Sequence, residues 1–251
     1  MRNSLLPCVA LLALSAPPAW AAGISLGWND CPGGATYSLT KTFACDTNLG
    51  THTLVGSFTA PAGVEAMSAN ETAIILQTNG NALPDWWKFG AGTCRSASLS
   101  GSAAFSSAGL TQCLDYWQDH GVAPTPAYDV NFGAANRARI RELVALPAGD
   151  PQIGPLTEGT EVYSFKININ SAATVGPGAC AGCGDEACIV LQFINVLQPP
   201  GTPGGSFHLT NPAPAFYAIW QAWTNPDPAN ACPAVTPARQ QTWGSIKAVY
   251  R

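Results

Sequence analysis

The sequence has few charged residues and very few histidines. Only 10% of its 251 residues are Asp, Glu, Lys or Arg, and there are three His residues. Eleven basic residues stand against 15 acidic ones, which gives a net charge of −4. Nucleic acids and anionic membranes are bound by basic surfaces, so this balance argues against both as partners.

The sequence also lacks the short motifs of common catalytic sites. It contains no H-E-x-x-H pattern, and its Gly23-Ile24-Ser25-Leu26-Gly27 string falls within a predicted strand and not at a nucleophile elbow. Its glycine-rich stretches lack the lysine of a phosphate-binding loop. No strand carries the alternating acidic residues of a β-jelly-roll glycosidase. We therefore favour a non-catalytic protein without a cofactor or metal. A hydrolase with a dispersed Ser/His/Asp site on His52, His120 or His208 is the third hypothesis.

A long apolar run is missing except at the N-terminus, where the pattern is that of a signal peptide. Arg2 precedes the apolar stretch 5–16, and Ala19-Trp20-Ala21 is a small-x-small cleavage site. The stretch is shorter than the roughly 20 residues that span a bilayer. We expect residues 1–21 to be removed, and residues 22–251 to form one exported domain without a membrane span, secreted to the extracellular space or the periplasm.

Cysteine, by contrast, is plentiful: eight of the nine cysteines follow the signal segment. In an exported protein an even number predicts a disulfide framework. Because cysteines close in sequence meet most often, we expect the pairs Cys31–Cys45, Cys94–Cys113 and Cys183–Cys188, with Cys180–Cys232 as the fourth. A metal site at Cys180-x-x-Cys183-x4-Cys188 has suitable spacing, but an oxidising compartment favours disulfides.

Alternating apolar and polar residues predict many short strands and an all-β fold. The stretch 163–170 has this period, and 189–197 is apolar on both faces, as in a central strand. We expect these two segments to form a hairpin around the cysteine-rich loop. The overall prediction is a single disulfide-bonded, mostly antiparallel β-sandwich. Thr236, Pro237 and the spacing of Trp243, Ile246 and Tyr250 predict a short C-terminal helix.

Three arginines, Arg137, Arg139 and Arg141, lie on one face of a predicted strand. Such a row could bind an anion. We expect instead that it faces solvent or pairs with acidic residues on neighbouring strands.

The densest aromatic patch is the segment 83–89, which contains Asp85, Trp86 and Trp87. On a strand, neighbouring side chains face opposite sides, so one of the two Trp rings would face outward. An exposed ring beside Asp85 would suit a sugar, because the ring stacks on the sugar and the carboxylate accepts hydrogen bonds from its hydroxyl groups. This pattern makes a carbohydrate-binding module the second hypothesis. The competing interpretation is that the segment 90–126 covers both rings.

Several motifs resemble those of a family of uncharacterised, secreted, cysteine-containing bacterial proteins. They are Trp28-Asn29-Asp30-Cys31, the stretch from Lys41 to Asn48, Cys180-Ala181-Gly182-Cys183 and the terminal Thr-Trp-Gly-Ser-Ile-Lys-Ala-Val-Tyr-Arg. The resemblance spans residues 22–251 and implies an exported β-sandwich without an assigned activity. The expected architecture is also loosely similar to cohesin-like and carbohydrate-binding sandwiches. We therefore expect a role in binding or surface structure, with a polysaccharide or another surface protein as partner.

Overall fold

The protein is a two-layered β-structure in a computed structural model that describes residues 22–105, 112–150, 154–221 and 223. In chain order the strands are β1 (Gly23–Trp28), β2 (Thr40–Lys41), β3 (Thr51–Thr59), β4 (Ala69–Thr78), β5 (Leu99–Ser102), β6 (Ala127–Val130), β7 (Arg137–Ala145), β8 (Glu161–Asn170), β9 (Ala187–Leu197), β10 (Phe207–Leu209) and β11 (Tyr217–Trp220). A single 3₁₀ turn, Asp85–Trp87, lies between β4 and β5.

The strands form two sheets. The first has four strands in the order β1-β3-β8-β5, and the second has seven, in the order β2-β11-β9-β4-β7-β6 with β10 beside β9. Only β2 and β11 pair in parallel; the other strand pairs are antiparallel. The fold is therefore the all-β, mostly antiparallel sandwich that the sequence predicts. The predicted C-terminal helix lies outside the described residues.

One large hydrophobic cluster fills the space between the sheets. Trp28 on β1, Ile74 on β4 and Ile167 on β8 are fully buried in it. Trp28 also links the two sheets directly, because its Nε1 donates a hydrogen bond to the carbonyl oxygen of Ile219 on β11, 2.8 Å away. Burial of this apolar surface is the main favourable contribution to folding.

The predicted hairpin of 163–170 and 189–197 is wrong. Both segments are strands, β8 and β9, but β8 pairs with β3 and β5, whereas β9 pairs with β4, β10 and β11. The cysteine-rich loop between them crosses from one sheet to the other. Hydrophobic alternation indicates which residues form a strand, but it carries no information about the strand's partners.

The predicted disulfide pairs are also wrong. The bridges are Cys31–Cys113, Cys45–Cys183 and Cys94–Cys180, with Cα–Cα distances of 6.0, 5.9 and 6.0 Å. Cys188 is disulfide-bonded as well. The prediction relied on sequence proximity, whereas these bridges join segments 82, 138 and 86 residues apart.

This pairing excludes the alternative of a metal held by the cysteine-rich loop. Cys180, Cys183 and Cys188 are all oxidised to disulfides, so they have no thiolate to offer a metal. Disulfides persist in oxidising compartments, and three of them in the described part of the chain indicate that the protein folds in such a compartment. Among the same residues, no helix has the length and hydropathy needed to cross a membrane.

Candidate functional site

Trp86 and Trp87 are both completely buried, each with a relative exposure of 0%. They lie on the 3₁₀ turn, where three residues complete a turn, so the alternation of a strand does not apply. The Trp86 ring stacks on Trp220 with a centroid distance of 5.0 Å, and the Trp87 ring meets Trp220 edge-on at 5.5 Å. The expectation that one ring faces outward is wrong, and neither ring offers a face to a sugar.

Asp85 is exposed, but it does not combine with the two tryptophans into a site. Its Oδ1 accepts a hydrogen bond from Lys88 Nζ at 2.7 Å, as a surface ion pair. Pro84 precedes it in an extended conformation and begins the turn. The carboxylate is therefore on the surface and both rings are in the core.

Arg95 is an unexpected member of the aromatic cluster, with only 2% exposure. Its guanidinium carbon lies 3.7 Å from the centroid of the Trp86 ring, and its nitrogens donate to the carbonyl oxygens of Trp86 and Asn170. Burial lowers the pKa of Arg95 to about 10. The side chain connects the 3₁₀ turn to the end of β8, which is a structural role. Sequence alone gave no sign of it, because arginine is rarely buried.

His52 forms a buried serine–histidine pair, with its Nε2 3.1 Å from Ser171 Oγ. The ring is enclosed by Phe43 and Trp220, at centroid distances of 4.6 and 4.8 Å. Burial lowers the pKa of His52 to about 4, and the positive charges of Lys41 and Arg95 contribute. This imidazole is a weak base that has no open approach, so the pair does not resemble an activated nucleophile.

The other two histidines are exposed, and each has a polar partner other than serine. His120 Nδ1 is 3.4 Å from Asp150 Oδ2, and His208 Nδ1 is 2.6 Å from Asn195 Oδ1. A triad requires the histidine to contact a serine as well as an acid. The described residues around His120 and His208 do not provide that contact.

The arginine row pairs across the sheet, as expected. Arg139 donates two hydrogen bonds to Asp129 Oδ2 on β6, at 3.0 and 2.7 Å, and Arg141 Nε is 3.6 Å from the same oxygen. Arg137 Nε donates to Gln77 Oε1 on β4 at 2.5 Å. The three arginines therefore contact side chains of neighbouring strands and are not arranged as an anion-binding site.

A concave region of the described surface lies beside β5 and β6, the end strands of the two sheets. This edge groove has a volume of about 660 Å³ and lies between the loop 89–97, the start of β5 and the start of β6. It is lined by Phe89, Gly90, Ala91, Gly92, Ser96, Ala97, Leu99, Ser100, Thr125, Pro126 and Tyr128. None of these side chains is an acid, a lysine, an arginine or a histidine. A pocket of this size is within the usual range for ligand sites.

The walls of the edge groove are held by specific contacts. Tyr128 on β6 packs edge-on against Phe89 at 5.3 Å, and its hydroxyl donates to the carbonyl oxygen of Trp87. Burial raises the pKa of Tyr128. The Cys94–Cys180 bridge fixes the loop 89–97, to which Phe89 belongs. Gly92 in this loop has a φ of +75°, a conformation that favours glycine. These contacts hold the segments that line the groove in fixed positions.

The edge of β5 beside the groove has unused backbone groups. The amide of Asn170 donates to the carbonyl oxygen of Ser98 at 3.0 Å, and Ser98 is directly opposite Asn170 in the register. Because hydrogen-bonded pairs alternate along an antiparallel ladder, Ser100 and Ser102 also bond to β8. The N–H and C=O groups of Leu99 and Gly101 therefore point away from β8. They have no backbone partner among the described residues.

Glu142 is a buried carboxyl group close to this edge. It lies on β7 with 2% exposure, and neither carboxyl oxygen has a hydrogen-bond partner in the described structure. The carboxyl group packs on Gly101 so closely that a side chain at position 101 would collide with it. Burial raises the pKa of Glu142 to about 8. The period of two places Glu142 on the inner face with Ala138 and Ile140, so the sequence did contain the signal that would have found it.

The chain was compared with family models and with curated proteins, and neither comparison gives a match. The resemblance to a family of secreted bacterial proteins therefore stays a prediction. The candidate site rests on its own geometry.

Proposed function

We propose that the protein is an exported, non-catalytic binding protein and that the edge groove is its ligand site. The observation that carries the proposal is the groove itself: a concavity without charged side chains in its lining, placed beside the end strands of both sheets. The signal-peptide pattern and the disulfides support export.

The character of the lining favours binding over catalysis. The larger apolar and aromatic side chains of the lining are Phe89, Leu99 and Tyr128, and hydroxyl groups come from Ser96, Ser100 and Thr125. Acid–base or nucleophilic chemistry needs titratable groups near the substrate, and this lining has only the tyrosine. The Tyr128 hydroxyl already donates to the carbonyl oxygen of Trp87. Such a surface suits a neutral ligand that is recognised by shape and a few hydrogen bonds.

A pair of matched charge variants tests the location of the site. Ser100→Lys places a long cation in the groove, whereas Thr157→Lys adds the same charge at an exposed turn outside the groove lining. The wild-type protein is screened against a glycan array and an array of capped, uncharged seven-residue peptides. We expect Ser100→Lys to weaken every retained ligand at least tenfold and Thr157→Lys to leave retention unchanged. Equal retention by wild type and Ser100→Lys would show that the ligand binds elsewhere.

A further inference from the structure

We propose that the ligand of the edge groove is an extended, uncharged segment of another protein, which adds to the open edge of β5 as a fifth strand of the smaller sheet. This inference rests on the proposed function, because it names the ligand class of the same groove.

The backbone of β5 supplies the first argument. Leu99 and Gly101 each direct an N–H and a C=O away from β8, and these four groups lack a backbone partner in the described part of the chain. Leu99 also lines the groove. Alternating donors and acceptors along a strand edge match the backbone of a second strand, and edge addition is a common mode of peptide recognition.

The lining of the groove supplies the second argument. Because it carries no charged side chain, a charged ligand would lose hydration there without gaining an ion pair. Edge strands are often protected against addition by a lysine or an inward-facing charge at the edge. β5 has the sequence Leu-Ser-Gly-Ser and carries neither. An uncharged segment with apolar side chains facing Phe89, Leu99 and Tyr128 therefore fits this surface best.

The recessed position of the edge favours a single extended segment over a second copy of this chain. The loop 89–97 and the start of β6 line the groove together with the start of β5. A lone strand can enter such a recess, whereas the edge of a second sandwich would bring its whole sheet with it. A carbohydrate is less well matched, since the aromatic rings of the groove are Phe89, which is 6% exposed, and Tyr128, which packs edge-on against it. Neither arrangement offers the open ring face on which a sugar stacks.

The experiment uses the tightest binder from the array of capped, uncharged seven-residue peptides. Amide hydrogen exchange is measured on the full protein with and without this peptide. We expect the amides of Leu99 and Gly101 to exchange freely in the unbound protein and to slow at least tenfold on binding. The amide of Ser100, which already bonds to β8, serves as the internal control and should change little.

Backbone methylation of the peptide tests strand addition separately from side-chain contacts. In a bound strand, every second amide faces β5. N-methylation of the amides in one alternate set should weaken binding at least tenfold, and methylation in the other set should change it less than threefold. Equal effects of both sets, or binding without protection of Leu99 and Gly101, would overturn strand addition.

The remaining outcomes separate this inference from the proposed function. If only glycans are retained and Ser100→Lys abolishes their retention, the groove is a ligand site but strand addition is wrong. If the protein dimerises at micromolar concentration and Ser100→Lys abolishes the dimer, the groove binds a second copy of this chain. The proposed ligand, a segment of another protein, is then wrong. If Ser100→Lys changes no retained ligand, the proposed function itself fails.

Discussion

The carboxyl group of Glu142 is buried in the core without a hydrogen-bond partner. Its titration should therefore make the free energy of unfolding depend on pH, in a direction that its pKa shift determines. The unfolded chain should ionise near the ordinary value of 4.5, whereas burial raises the pKa in the folded protein to about 8. Well below pH 4.5 the group is protonated in both states, so its titration adds no pH dependence to the free energy of unfolding. Between the two values only the unfolded chain loses the proton, so the free energy of unfolding should fall by about 1.4 kcal/mol per pH unit from this group.

Replacing Glu142 by glutamine should remove this pH dependence. We expect Glu142→Gln to be more stable than wild type at pH 8, by up to about 4 kcal/mol, and nearly equal to it at pH 4.5. Urea unfolding at several pH values measures the difference. A variant with the same pH profile as wild type would mean that the folded protein does not hold a proton at Glu142.

The titration of His52 changes the free energy of unfolding in the opposite direction. It therefore determines the pH range in which the effect of Glu142 is best measured. Its pKa is lowered from 6.5 to about 4, so the unfolded chain gains the proton first as the pH falls, and stability is lost between these values. Between about pH 4.5 and 6.5 the two groups therefore oppose each other. The range from pH 6.5 to 8 separates the titration of Glu142 from that of His52.

Trp86 and Trp87 should respond equally to truncation, since both rings are fully buried in one aromatic cluster. We expect Trp86→Ala and Trp87→Ala each to lower the free energy of unfolding by about 3–5 kcal/mol, through the cavity that each leaves. Denaturant unfolding checks both values. Asp85→Ala, which removes only an exposed ion pair, is the control and should cost less than about 1 kcal/mol. A change below about 1 kcal/mol for either tryptophan would place that ring at the surface.

At the scale of elements, the loop with Cys180 and Cys183 holds three parts of the chain together. Its two bridges reach Cys94 beside the groove and Cys45 before β3, and the carbonyl oxygen of Cys183 accepts a hydrogen bond from Trp220 Nε1 at 2.8 Å. The loop therefore fastens the groove wall to the aromatic cluster.

Removal of the Cys94–Cys180 bridge should loosen the groove before it unfolds the sandwich. We expect Cys94→Ser combined with Cys180→Ser to reduce the free energy of unfolding by about 2–4 kcal/mol. Hydrogen exchange in the segment 89–97 should rise more than exchange in β3 and β8, which are paired on both edges. Uniform acceleration across all strands would instead show that the bridge acts only on global stability.

The strands were predictable from the sequence because a half-buried strand has a visible period of two. The segments 163–170 and 189–197 are strands, and the arginine row pairs with Asp129 as expected. The partner of each strand and each cysteine was not predictable, since pairing depends on how the chain crosses between sheets. Trp86 and Trp87 were misplaced because the segment after Pro84 turns instead of extending.

The edge groove was also beyond sequence-based prediction. The groove lies between the loop 89–97 and residues 125–128. These segments lie beside β5 and β6, which are the end strands of two different sheets. Glycine, alanine and serine dominate its lining, and such residues carry no chemical signature. Only the order of strands shows that β5 and β6 both end a sheet.

At the scale of the whole molecule, the long span of the disulfides constrains how the chain can be made. In the proposed export from the N-terminus, Cys31, Cys45, Cys94 and Cys113 would be exposed before the partners of Cys45 and Cys94, which lie 138 and 86 residues further along the chain. During that interval the early cysteines can oxidise with one another. We therefore expect maturation under the proposed export to include reshuffling of early bridges, and an oxidising compartment without a disulfide isomerase should yield a larger share of mispaired isomers.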